Sequence, residues 1–75
     1  MPVHKPKSAR ARGALETLRL FTTAAASVMG RSLSAAHVEA IALYAARKLP
    51  RRTLGRLTSK AGGVAALQFI VRTLQ

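Results

Sequence analysis

The sequence predicts an all-α protein, a compact bundle of about four short helices preceded by a basic N-terminal arm. Apolar residues recur at helical spacing in several separate segments, and no stretch of useful length alternates at the strand period. Gly30, Pro50 and the Gly62-Gly63 pair fall between those segments as breakers. At 75 residues and 49% hydrophobic the chain forms one domain and is too apolar for a disordered basic tail. A domain this small buries only about 60% of the surface its unfolded chain exposes, so a dimer partner or ligand would add useful stability.

Residues 1–12 hold Pro2, Pro6, Lys5, Lys7, Arg10 and Arg12 without apolar periodicity, and are assigned to the arm. Such an arm is either solvated in the free protein or laid along phosphates or in a minor groove. Its Arg-rich, acid-poor composition also resembles an organellar presequence, a third reading. Residues 13–75 form the helical domain. From Gly13 the residues Leu15, Leu18, Phe21, Ala25 and Val28 mark an apolar stripe, with Glu16 placed to favour the positive end of the helix dipole. The Ala24-Ala25-Ala26 run suits close helix approach, and Gly30 suits a left-handed helix stop.

Ser34 is the preferred cap of a second helix whose stripe is Val38, Ile41, Ala42, Ala45 and Leu49. Arg47 and Lys48 fall in its last turn, where cations complement the dipole, and Pro50 ends it. His37 precedes the stripe and is read as a surface or boundary residue. A short third helix is expected from Thr53 to about Ala61. It would put Leu54, Leu57 and Ala61 on one face and Arg52, Arg56 and Lys60 on another. Gly62 and Gly63 read as a break before a last helix with Val64, Leu67, Ile70 or Val71, and Leu74 as its stripe. The start of that helix, after Lys60 and the glycines, is a weak candidate for holding an anion on free backbone N–H groups.

Thirteen Lys and Arg face only Glu16 and Glu39, a formal net charge of +11. Four of these cations lie in residues 1–12, and residues 51–75 carry five with no acid. Such a balance draws a protein to polyanions. Like charges at i, i+4 repel by about 0.2 to 0.5 kcal/mol per pair on an isolated helix, which an anionic partner relieves. Enzymatic activity is not expected, because the titratable groups beyond Lys and Arg are Glu16, Glu39, His4, His37 and Tyr44, with no catalytic spacing among them. There is no cysteine, which excludes disulfides, thiolate zinc sites and thiol nucleophiles. No cofactor or metal is implied. The uncharged runs, at most 11 residues, are too short to span a bilayer.

The expected partner is therefore nucleic acid, and the candidate contacts are Lys5, Lys7, Arg10, Arg12, Arg47, Lys48, Arg51, Arg52, Thr53, Arg56 and Lys60. Duplex DNA is favoured over RNA. Phe21, Tyr44 and Phe69 are the only aromatic residues, and two lie close to the expected core stripes, leaving little for base stacking. The segment from Ala45 to Leu57 resembles a helix-turn-helix, although Pro50 stands where the turn usually has glycine and the preceding helix is long. That resemblance implies a recognition helix over residues 53–61, with Arg51, Arg52, Thr53 and Arg56 near base edges. A DNA-binding regulator or accessory factor is the leading reading. A structural nucleoprotein, such as a viral coat or DNA-condensing protein assembled through apolar helix faces, is the alternative, and a cationic membrane-active protein or an RNA-bound role follow. A homodimer or larger homo-oligomer is expected, in the cytoplasm or nucleoid or inside a virion, neither secreted nor transmembrane.

Overall fold

Helix α1 spans Lys5–Val28, α2 spans Ala35–Lys48, α3 is the single turn Arg51–Leu54, and α4 spans Lys60–Leu74. The structure is a computed structural model describing the backbone of residues 5–75 and the side chains of residues 13–75. It is all-helical, as the sequence predicts. Among the described residues no helix is long and apolar enough to cross a membrane.

Helix α1 begins at Lys5, not at Gly13. Lys, Arg and Ala dominate residues 5–12, and these are strong helix formers even without an apolar stripe. Pro6 lies in the first turn, where its missing N–H costs no intrahelical bond. At the other end Gly30 takes a left-handed φ of 73°. Gly30 N donates to the Ser27 carbonyl at 3.0 Å and Arg31 N to the Ala26 carbonyl at 2.8 Å, the paired bonds of a Schellman stop. Helix α2 starts at Ser34, whose side chain accepts from His37 N at 3.2 Å. It ends as Leu49 turns extended (φ −74°, ψ 144°) before Pro50.

The long α1 packs against both α2 and α4, α2 touches α4, and α3 leans on α4. Leu18, Ala25, Ala26, Ile41, Ala42, Ala45, Leu49, Leu57, Ala66, Ile70 and Leu74 form the core. Its many alanines let the helices approach closely, while Leu18 and Ile70, fully buried, each contribute about 1.5 to 3 kcal/mol of burial. Thr22 is also fully buried. Its hydroxyl donates to the Leu18 carbonyl at 2.7 Å, so no buried polar group goes unmet there.

Three expectations are corrected by the packing. Val28, expected in the α1 stripe, is 88% exposed, because the inward face of α1 runs through Leu18, Thr22, Ala25 and Ala26 and Val28 lies off that face. In α4 the inward residues are Gly62, Ala66, Ile70 and Leu74, four apart, and Val64 lies outside. The third correction concerns residues 53–61, which do not form one helix. α3 stops at Gly55, a turn follows, and Ser59 adopts extended backbone (φ −87°, ψ 161°) as the N-cap of α4, accepting from Gly62 N at 3.1 Å. A capping serine with its backbone extended cannot sit inside a continuous helix. Gly62 is thus part of α4 and not a break. A β-carbon there would stand 2.0 Å from the Arg56 carbonyl oxygen, so only glycine lets the turn fold onto the helix. Leu57 is buried, Leu54 half-buried and Ala61 exposed, so the expected apolar stripe reduces to an anchor at Leu57.

Candidate nucleic-acid interface

The last turn of α2, the one-turn α3, the turn after it and the first residue of α4 place six cations in a short length of chain: Arg47, Lys48, Arg51, Arg52, Arg56 and Lys60. All six are exposed; Thr53 among them is half-buried. Pro50 sets the corner between α2 and α3, Gly55 ends α3, and buried Leu57 pins the following turn to the core. Because helix 53–61 does not form, Arg52, Arg56 and Lys60 do not share one helical face, and the fold offers no recognition helix there. The cations stand on a folded corner instead. At the α4 start, Ser59 engages both Gly62 N, through its side chain, and Gly63 N, through its carbonyl, which leaves little of the backbone anion site considered from sequence.

Leu54, Gly55, Leu57 and Thr58 line a surface hollow together with Gly13, Ala14 and Thr17 of α1. The helical backbone that continues from Gly13 toward Lys5 therefore enters the bundle beside the basic corner. The side chains of Lys5, Lys7, Arg10 and Arg12 lie outside the described residues, as do residues 1–4.

Elsewhere two arginines, Arg19 and Arg31, are committed within the chain. Arg19 donates from Nε to Glu39 Oε1 at 2.6 Å and from Nη2 to Glu39 Oε2 at 3.1 Å, a two-pronged pair well suited to guanidinium and carboxylate. The bond to Arg19 holds the Glu39 carboxyl below its ordinary value and, reciprocally, raises Arg19, with partial desolvation opposing both. Arg31 Nη1 donates to the Leu74 carbonyl and closes the end of α4. Neither link is legible from sequence spacing, since each joins residues brought together only by helix packing. Among the described residues Arg19–Glu39 is the one ion pair, so none of the six cations of the basic corner is paired with a carboxylate.

A second surface adjoins the corner. Tyr44 of α2 and Phe69 of α4 lie with ring centroids 5.8 Å apart at an interplanar angle of 30°. Lys48 Nζ stands 5.9 Å from the Tyr44 centroid, within the range of a cation–π contact. These rings border an open groove of about 600 Å³ that also involves His37, Ala40, Ile41, Arg72 and Thr73. Tyr44 is 46% exposed, which corrects the expectation that the aromatic residues leave little ring surface for a ligand. Its position in the sequence hid this: Tyr44 falls between the core residues Ala42 and Ala45, on the flank of the stripe. Among the described residues no three of His, Asp and Glu gather as a metal site would need.

Compared with protein-family models, characterised proteins and solved structures, the chain matches none.

Proposed function

We propose that this protein binds nucleic acid, duplex DNA foremost, by gripping phosphates with the basic corner, and that it acts by binding and not by catalysis. The observation that carries this reading is the set of six exposed cations between Arg47 and Lys60, none of them paired with a carboxylate among the described residues. Arg outnumbers Lys in the set, and its planar fork matches phosphate oxygens. Cations on a corner suit backbone contacts, which position a protein without reading sequence. Sequence preference is accordingly expected to be shallow, as for an accessory or packaging factor. The test is a titration of duplex DNA of specific and random sequence at several salt concentrations. Each phosphate neutralised is expected to contribute about −0.9 to the slope of log K against log salt. An affinity indifferent to salt would remove the phosphate reading.

The nucleoprotein variant of this reading has its own support on α1. Leu20 and Val28 are 66% and 88% exposed, and with exposed Ala24 they form a stripe at four-residue spacing on the helix's outer side. The neighbouring Arg19 and Arg31 are engaged with Glu39 and the Leu74 carbonyl. Two copies of so basic a chain would meet most readily on such a surface. Sedimentation of Val28→Lys against the parent protein, with and without DNA, tests it: assembly lost with DNA affinity per chain retained is the expected result.

A further inference from the structure

We propose that the groove between α2 and α4 receives an unpaired base of a bound strand, stacked on Tyr44, with the strand's phosphates held by Lys48 and Arg72. This deepens the phosphate reading and rests on it. Stacking needs an accessible ring, and Tyr44 is 46% exposed at the mouth of a groove of about 600 Å³. That space lies within the range of small-ligand sites, about 300 to 1,000 Å³. Phe69, 5.8 Å away and tilted by 30°, extends the aromatic wall from the opposite helix. Bases stack on such platforms with little dependence on sequence, because each presents a π-face.

Charge selects the occupant. The groove's charged side chain is Arg72, the ammonium of Lys48 lies over the Tyr44 ring, and no carboxylate borders it. Glu39, the acid of the same helix, is held by Arg19. An aromatic ligand bearing negative charge fits this combination; a cationic or purely apolar one leaves the cations unused. Lys48 also makes the groove continuous with the basic corner, since it ends α2 one turn before Arg51 and Arg52. A strand whose phosphates lie on Arg51 and Arg52 would therefore pass Lys48 on its way to the groove. As a base settles on Tyr44 it takes the place of the ammonium over the ring, which releases Lys48 to a phosphate.

The chain has one tyrosine and no tryptophan, so tyrosine fluorescence reports on Tyr44 alone. The full chain is titrated with a single-stranded thymidine oligonucleotide, with duplex DNA of equal length, and with inorganic polyphosphate, an anion without bases. The expected result is quenching by the oligonucleotide, with polyphosphate binding but leaving the emission nearly unchanged. Phe69→Leu should reduce the quenching. Tyr44→Ala, followed with a labelled oligonucleotide, should lose roughly 5- to 150-fold in single-strand affinity, the usual contribution of one stacked base. Its duplex affinity should change little, and Tyr44→Phe should restore the single-strand affinity. The wild-type comparison requires no variant to fold. Equal quenching by polyphosphate, unchanged single-strand affinity in Tyr44→Ala, or quenching by an acidic peptide as strong as by the oligonucleotide would overturn the groove assignment while duplex binding persists. Failure to bind any of the three polyanions at low salt would overturn the phosphate reading and the groove with it.

Discussion

Arg19 and Arg31 on one side, and Arg51, Arg52 and Arg56 on the other, are the same residue type in one small protein, yet the fold uses them in opposite ways. The first two are spent on internal contacts, one gripping Glu39 with two hydrogen bonds and the other closing α4 at the Leu74 carbonyl. The other three stand exposed on the corner between α2 and α4, paired with no acid among the described residues. A net charge of +11 says nothing of this division. It is made by helix packing, which brings Glu39 to Arg19 across α1 and α2 and leaves residues 47–60 with cations alone. Arginines that stabilise and arginines that remain available for a ligand are thus separate sets, and mutation should tell them apart.

The largest effect is expected where the exposed set is anchored. Leu57 is the buried residue of the turn, and Leu57→Ala should cost about 2 to 5 kcal/mol, enough to unfold much of a domain this small. Gly62→Ala probes the same anchor from the helix side. Its new β-carbon would meet the Arg56 carbonyl at 2.0 Å, and the forced backbone shift should cost about 1 to 3 kcal/mol. Chemical denaturation measures both. Retention of full stability in either variant would mean that the corner is not held as described.

Next come the arginines themselves. Arg52→Ala and Arg56→Ala should leave the unfolding midpoint nearly unchanged and lower the salt slope for duplex DNA by about one unit each. Arg31→Ala should do the reverse, losing about 0.5 to 1.5 kcal/mol of stability with the DNA salt slope preserved. Should Arg31→Ala reduce the slope as much as Arg52→Ala does, the division between the two sets collapses.

How much of this was legible in the sequence differs by region. The α2 stripe, the Ser34 cap, the Gly30 stop and the Pro50 boundary are local features, decided by neighbours a few residues away, and they read directly. Residues 53–61 misread because their helical spacing is real but weaker than Ser59, whose capping bond to Gly62 fixes where α4 starts. The spacing of Leu54, Leu57 and Arg56 could not show that Gly62 accommodates a carbonyl from the preceding turn. The start of α1 misread for the opposite reason: Lys, Arg and Ala build helix without an apolar rhythm. Among the proposed contacts, Arg47 to Lys60 could be named from charge alone. Tyr44, Phe69 and Arg72 could not be grouped, since the groove exists only once α2 lies beside α4.

The smallest effect belongs to Glu39, and it tests the committed set by acid. Its carboxyl is held below the ordinary 4.5 chiefly by the hydrogen bond from Arg19, against a desolvation that pushes the other way. A carboxyl depressed in the folded state lends stability that is fully present above its unfolded value and disappears as pH falls through its folded value. The parent protein should therefore be slightly more stable than Glu39→Gln at about pH 7, and the two should converge on acidification below the ordinary carboxyl range. Both side chains are 40 to 41% exposed, so solvent screening keeps the difference small and added salt should shrink it. Thermal unfolding of the two proteins across that range makes the measurement. In Glu39→Gln the guanidinium of Arg19 also loses its carboxylate, and DNA affinity at low salt should rise slightly as one more cation becomes available. A stability gap that widens on acidification would show that Arg19 and Glu39 do not support the fold together, and that Arg19 belongs with the exposed set.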